Sequence, residues 1–443
     1  MPHRTSTPLS PAAASKPRVH WISPLPPAET DIAHYTARIL PELAEQCDLV
    51  LWTDAPTWDR TLESHCEVRR LDPDRMTPAD FARAGRNPGG PDALFIHIGN
   101  SWVFHSGLLR LARRMPSIIV LHDLALQEML FESMANHRLP EQTYVSEMER
   151  WNGVRGRELA QDMLAGRIRP LDMATRMPGF EITLDKAAAV LAHTPAAYEA
   201  AVNSGMPAYL LDLPFRPSTQ APSAQRVKDG PLKLVQFGYI GLNRRLEQVL
   251  EALAPLRDEV DWRFDIMGNV WDPAYLMGRA AELGIAEWVQ IHGFVAEPVL
   301  DAKLAEAHLV FNLRFPTMGE ASGSQLRIWN ASAAAVVTDL GWYGSLPDEA
   351  VFKIPLEGEQ AALQSLMRRI DEDRSLCAQV GAAGRAQLEL CHTPARYAQG
   401  IRHVAEQMAR DTSTAIKARA ARAALARCHD ADGLLARALE MRC

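Results

Sequence analysis

Leu313-Arg314-Phe315-Pro316-Thr317-Met318-Gly319-Glu320-Ala321-Ser322-Gly323-Ser324-Gln325-Leu326-Arg327 decides how this chain is read. The apolar run Leu309–Leu313 leads into it as a strand, and Leu326, Trp329 and Ala333 leave it at helical spacing. Small residues at Gly319, Ser322, Gly323 and Ser324 let a backbone come close to a ligand. A helix starting near Ser322–Ser324 aims unpaired backbone N–H groups, and the positive end of its dipole, at whatever lies above it. In physical terms that is a phosphate site, to which Arg314 and Arg327 can add charge-assisted contacts. Glu320 repels a phosphate, so accepting hydrogen bonds from hydroxyls, as on a sugar, suits it better. The plain alternative is an ordinary capped helix.

Strands alternate with helices on both sides of this segment. Downstream of residue 230 the expected strands are Leu232–Phe237, Trp262–Met267 (ending at Gly268-Asn269), Val289–His292 (ending at Gly293-Phe294), Leu309–Leu313 and Ala335–Thr338, with a helix over Arg245–Leu256. The same plan appears earlier. Val19–Ile22 is a strand, followed by the Pro-rich loop Ser23–Pro27. Asp31 to Glu45 follows as a helix with Ile32, Tyr35, Ile39, Leu40 and Leu43 on one face. The next strands are Asp48–Trp52, Ala93–Ile98 (ending at Gly99-Asn100), Ser117–Leu121 (ending at His122-Asp123) and Ala188–Ala192 (ending at His193-Thr194), with a helix over Ser101–Arg113. Such alternation indicates an α/β chain with parallel sheets covered by helices.

The pattern divides the chain. Residues 1–18 read as a disordered lead-in, 19–213 as a first α/β domain, 214–230 as a linker poor in apolar residues, 231–395 as a second α/β domain, and 396–443 as C-terminal helices. Thr414 to Arg442 has helical spacing and six basic residues, so it reads either as a packing helix or as one for a partner or a membrane surface.

Composition excludes several classes. With 47% hydrophobic and 23% charged residues, the chain of 443 is neither disordered nor fibrous. A net charge of -7 argues against a nucleic-acid partner. The six cysteines form no Cys-x-x-Cys pair and are too few for a disulfide framework, which suits free thiols in a reducing cytoplasm. No stretch reads as a signal peptide or a membrane span, so the expected location is cytoplasmic, with peripheral contact to the inner membrane as the further option. Oligomeric state is not legible.

Ligands of open parallel sheets bind beyond the carboxyl ends of the strands. Candidates there are Asn100, His122, Asp123, Gly238, Asn269, Phe294 and the segment from Arg314 to Arg327. Arg244 and Arg245, just before a helix, can face a pyrophosphate or form a solvated charge pair. His122 can bond a substrate hydroxyl or be purely structural. The Asp-x-Asp strings Asp72-Pro73-Asp74, Asp371-Glu372-Asp373 and Asp430-Ala431-Asp432 lack a strand beside them and read as solvated charge, so no metal site is expected.

Taken in order, these motifs resemble family-four bacterial glycosyltransferases. The likeness rests on Ser23-Pro24-Leu25-Pro26-Pro27 with Ile32-Ala33-His34-Tyr35, Ile98-Gly99-Asn100, Val120-Leu121-His122-Asp123, Phe237-Gly238-Tyr239-Ile240 with Arg244-Arg245-Leu246-Glu247, and Leu313 to Glu320 followed by Gly323-Ser324, Thr338 to Tyr343 and Leu346-Pro347-Asp348. It spans about residues 19 to 395. The resemblance implies a GT-B fold of two Rossmann-like domains facing across a cleft, with the donor held mainly by the second. It implies metal-independent, retaining transfer of a sugar from a nucleotide diphosphate donor, with no cofactor, to a glycan, a lipid-linked or a protein acceptor, as in polysaccharide biosynthesis. A sugar-nucleotide epimerase and a non-catalytic binding protein of the same fold are the alternatives.

Residue by residue, Glu320 matches the first Glu of the family's Glu-x7-Glu motif, His122 the strand-end His near the donor sugar, and Arg244 the family's phosphate-binding Lys. Glu320, His122 and Arg244 are thus the expected catalytic residues. Gly238, Arg245, Arg314, Gly319, Ser322, Gly323, Ser324 and Arg327, with Asn100, Asp123, Asn269 and Phe294, are the expected binding residues. The chain departs from the pattern at Ile328 (the second Glu), Tyr239 (an Arg), Glu29-Thr30-Asp31 (a Gly-rich turn) and Ser332 (often Gly).

Overall fold

Strands covered on both faces are written as unbroken apolar runs, and in this chain those runs build two parallel sheets. The structure, a computed structural model, describes residues 16–84, 92–218 and 230–408. The first sheet contains β1 (Arg18–Ile22), β2 (Asp48–Thr53), β3 (Glu67–Arg70), β4 (Asp92–Ile98), β5 (Ser117–Leu121), β6 (Ala187–Ala192) and β7 (Ala208–Leu210). Its seven strands run in the order β3-β2-β1-β4-β5-β6-β7. The second contains β8 (Leu232–Ile240), β9 (Trp262–Val270), β10 (Val289–Gly293), β11 (Leu309–Phe311), β12 (Ala334–Thr338) and β13 (Phe352–Ile354). Its six strands run β10-β9-β8-β11-β12-β13. Neighbouring strands pair in parallel throughout both sheets.

The strand order reverses between β1 and β4 in one sheet and between β8 and β11 in the other. Crevices open at such reversals, beyond the carboxyl ends of the strands. The segment from Leu313 to Glu320 leaves β11 at one of them.

Each sheet has apolar cores on its two faces. Ile22, Val50, Ile96 and Ile119 pack under Leu108, Leu111 and Met129 on one side of the first sheet. On the other side Trp21, Phe95, Val120 and Leu191 meet Tyr35, Ile39 and Leu43 of helix Asp31–Gln46. The helix over residues 394–408 joins that same core through Tyr397, Ile401, Val404 and Met408. The last described helix therefore covers the first sheet, although the sequence places it after the second. Its continuation, including Thr414 to Arg442, lies outside the described residues, as does most of the lead-in.

The start of the expected linker is packed. Phe215 is buried, its N–H donates to the carbonyl of His392 (2.6 Å), and the Arg38 guanidinium lies 5.1 Å from its ring centroid. Arg216 holds Glu42 through both terminal nitrogens, at 2.9 and 2.6 Å. Residues 219–229, the rest of the linker reading, lie outside the described residues.

Ser332 sits at φ 50° after helix Gly323–Asn330. A β-carbon is strained in that left-handed region. Ser332→Gly is expected to relieve it and raise stability by up to about 1 kcal/mol, after the extra backbone entropy of glycine is subtracted. Urea unfolding of the two proteins checks this.

Candidate active site

Ser322 caps helix Gly323–Asn330, its Oγ accepting from the N–H of Gln325 (3.1 Å). Asn312, just past β11, donates to the Oε1 of Gln325 (2.9 Å) and braces that turn from below. This leaves the first N–H groups of the helix, at Gly323 and Ser324, aimed out of its end. Gly238, at φ 101° near the end of β8, approaches the same end. A β-carbon there would lie 3.8 Å from the Ser324 hydroxyl.

Two guanidinium groups come from the segments that border this helix end, Arg244 after β8 and Arg314 after β11. Arg244 is 3% exposed, and its Nη2 donates to the carbonyl of Phe237 (3.2 Å). Its Nε is buried without a hydrogen-bond partner, and among the described residues no carboxylate pairs with it. Burial, and then repulsion from Arg314, lowers its pKa to about 9, against the pull of Tyr343, Glu320 and Asp31. Arg314 lies 3.3 Å from the carboxylate of Glu320 and donates to the hydroxyl of Tyr343 (3.3 Å). Burial pulls its guanidinium down, but Tyr343, Glu320 and Asp123 outweigh that and hold it above the usual arginine value. Arg314 is thus paired with Glu320, whereas the buried Arg244 has no carboxylate partner of its own among the described residues and is the cation that an incoming anion stabilises.

Glu320 is positioned by its own loop. Its Oε2 accepts from the N–H of Met318 (2.7 Å), and its side chain is 14% exposed. That loop is one of the places where the two domains touch. Ala125 N–H donates to Met318 O (2.8 Å), and Thr194 Oγ1 to Gly319 O (2.9 Å). Gly319 has φ 73°, and a β-carbon there would run into Leu124, so glycine is required on both counts.

The first domain supplies the opposite wall. Asp123 accepts from the N–H of Asn100 (2.8 Å), whose side chain in turn reaches Glu128 (3.2 Å) and the N–H of Met129 (3.0 Å). Burial, then the charge of Glu320, raises the Asp123 pKa to about 7, with the Asn100 N–H and Arg314 acting the other way. A carboxyl whose folded pKa is raised binds its proton more tightly in the native state. Its contribution is full below the unfolded carboxylate range and is lost as pH rises through about 7. Wild type is therefore expected to lose stability between about pH 4 and 7 relative to Asp123→Asn, as urea unfolding across that range would read.

Other expected residues take different places. Arg245 follows Arg244 in sequence, but its left-handed backbone (φ 59°) turns it toward Glu359, to which its Nε donates at 3.0 Å. Arg327 lies a turn into its helix and pairs with Asp301 (2.9 Å) and Glu297 (3.2 Å) of helix Glu297–Glu306. Both guanidiniums are held by carboxylates of other helices, Glu359 for Arg245 and Glu297 and Asp301 for Arg327, which leaves Arg244 as the arginine of this group without an ion pair among the described residues. Asn269 is exposed on β9 opposite Tyr239 on β8, and Phe294, after β10, is 81% exposed. Ile328, where the resemblance places a second Glu, is fully buried.

Sequence reasoning set out Asp31 as a departure from the family pattern and Thr194 as a strand end, but gave no role to Tyr343 or Asn312 beside the site. A β-carbon on Gly323 would lie 3.9 Å from the Asp31 carboxylate, which places this side chain over the helix end. Asn312 carried a signal, being a polar residue inside the apolar run Leu309–Leu313. Thr194 carried one as a polar strand end, but its partner Gly319 is met only where the domains touch.

The sequence matches no family model and no curated protein. Solved structures do match. HepE from Anabaena, in complex with UDP and glucose, superposes with a TM-score of 0.55 at 14% identity, over 87% of this chain and 98% of that one. Sucrose-phosphate synthase from Thermosynechococcus elongatus gives 0.57 at 14%, over 89% and 99%. WaaG, a glycosyltransferase involved in lipopolysaccharide biosynthesis, gives 0.51 at 15%, over 86% and 98%. The chain has the GT-B fold. At such identities the likeness is one of fold, and GT-B chemistry has to be argued from this chain's own residues. Among the described residues no group of His, Cys, Asp and Glu could hold a metal ion, and no helix is long and apolar enough to cross a membrane.

Proposed function

We propose that the chain is a retaining glycosyltransferase of family four, which moves a sugar from a nucleotide diphosphate donor to a hydroxyl of a glycan, lipid-linked or protein acceptor. The observation that carries this reading is the arginine pair Arg244 and Arg314, the first buried with no carboxylate partner among the described residues and the second held by Glu320, on the segments that border the free N–H end of helix Gly323–Asn330. A diphosphate supplies the charge that Arg244 lacks. The HepE structure with UDP and glucose supports the reading.

In the proposed reaction the bond from the sugar's anomeric carbon to the β-phosphate oxygen breaks, and the acceptor oxygen bonds to the same face. The acceptor's proton passes to the departing phosphate. Arg244, Arg314 and the N–H groups of Gly323 and Ser324 stabilise the negative charge on that leaving group. Glu320 and His122 hold the sugar's hydroxyls. The donor is a substrate, and no resident cofactor or metal enters the scheme. Transfer belongs to polysaccharide or related glycan assembly in the cytoplasm, at or near the inner membrane where the acceptor is lipid-linked.

Asp31 tunes this site. Its carboxylate lies over the helix end and repels a diphosphate arriving there. Asp31→Asn is expected to tighten UDP binding about five-fold, the scale of one screened charge contact, as calorimetry would measure. Weaker binding would mean that the carboxylate contacts the ligand in another way.

The test of the function is a panel of nucleotide sugars, followed by nucleotide release and by NMR of the product's anomeric configuration. Nucleotide release with retention supports the proposal. Binding without release favours a non-catalytic protein, and conversion of the sugar without an acceptor favours an epimerase.

A further inference from the structure

His122, itself half-buried, stands against a stack of buried rings at the strand ends of the first sheet. His97, the penultimate residue of β4, is 0% exposed, and its Nδ1 lies 2.8 Å from Nε2 of His122. Those two rings are stacked, with centroids 5.1 Å apart. Tyr35 meets the His122 ring edge-on at 5.1 Å, and His193 tilts against it at the same distance. Tyr397 closes the stack by hydrogen bonding to Tyr35. Burial, and then the neighbouring histidines, holds both His97 and His122 well below the usual histidine range, so each ring carries one proton.

Where those protons sit follows from the partners. His105 Nδ1 faces the carbonyl of His97 (3.1 Å) and must donate to it. Between His97 Nδ1 and His122 Nε2 one nitrogen donates and the other accepts. If His122 donated, the proton of His97 would sit on its Nε2, which is buried without a hydrogen-bond partner. If His97 donates from Nδ1, its Nε2 is left with only an unpaired lone pair. An orphaned buried N–H is the rarer of the two arrangements. The His122 proton then lies on Nδ1, the nitrogen facing away from His97, on a ring that is only half-buried.

We propose that His97 is a positioning residue that fixes His122 as an Nδ1–H donor, so that the substrate atom it meets is an accepting oxygen, such as a sugar hydroxyl. The hydrogen-bond assignment stands on this geometry with both rings neutral; its role toward the sugar rests on the glycosyltransferase reading. A ring clamped on three sides and donated to from behind keeps one orientation and one tautomer.

The test uses the full chain labelled with ¹⁵N-histidine. Two-bond proton–nitrogen correlations distinguish the tautomers, and the His122 signal is the one that disappears in His122→Gln. Wild type should show His122 protonated at Nδ1. In His97→Phe that tautomer should give way to Nε2–H, and kcat/KM for the donor should fall about ten-fold, the worth of one hydrogen bond. His97→Asn, whose amide N–H falls near the position of the ring nitrogen, should restore both. Protonation of His122 at Nε2 in wild type overturns the proposal, as does an unchanged tautomer in His97→Phe. If wild type shows the Nδ1–H form yet turns over no nucleotide sugar, only the glycosyltransferase reading fails.

Discussion

Glu320→Gln is expected to lower the turnover of nucleotide sugar by about 10²-fold or more, the scale of removing one positioned transition-state interaction. The variant keeps the shape of the side chain and its bond from the N–H of Met318, but removes the charge facing Arg314. The activity loss should therefore fall on kcat, and the unpaired Arg314 should also lower the stability of the ligand-free protein. Removing that charge also leaves Arg314 without its paired carboxylate, so UDP should bind at least as tightly as before. Near-normal turnover would contradict the role given to Glu320.

Arg244→Met is expected to separate activity from stability. The side chain is buried, has an unpartnered Nε and is repelled by Arg314, so in the ligand-free protein it is a cost. An apolar chain of similar length gives up the hydrogen bond to the Phe237 carbonyl but carries no buried charge. Thermal stability should therefore stay unchanged or rise. Turnover should fall by about 10² to 10³, as when a donor to a developing oxyanion is removed. The stabilisation that UDP gives should shrink as well. A variant that unfolds without ligand, or keeps full turnover, would show that Arg244 is a structural cation.

Much of the architecture is legible in the sequence. The strand Ser117–Leu121 has the bounds its apolar run predicts, and the central strands around it fall within a residue or two, because buried parallel strands leave an unbroken apolar signature. The strands that escape such a reading are β3, written Glu-Val-Arg-Arg, and the three-residue β7 and β13. They are polar or too short to show a period. In the site, the helix start at Gly323 and the place of Glu320 follow from local chemistry. The direction of Arg245 does not, because it depends on one left-handed residue and on Glu359, 114 positions away. His97 does carry a signal, a histidine inside the apolar run Ala93–Ile98, but nothing in that run names His122 as its partner.

The helix over residues 394–408 lies against the first sheet, so the polypeptide passes between the halves twice. A pair of parallel tethers resists twisting more than bending. The cleft should therefore open like a book along its spine, with little swivel. No single cut frees both halves: a fragment stopped at residue 213 would bare Trp21, Tyr35 and Leu191, whereas a circular permutant that starts with the closing helix and then runs into β1 would keep them covered.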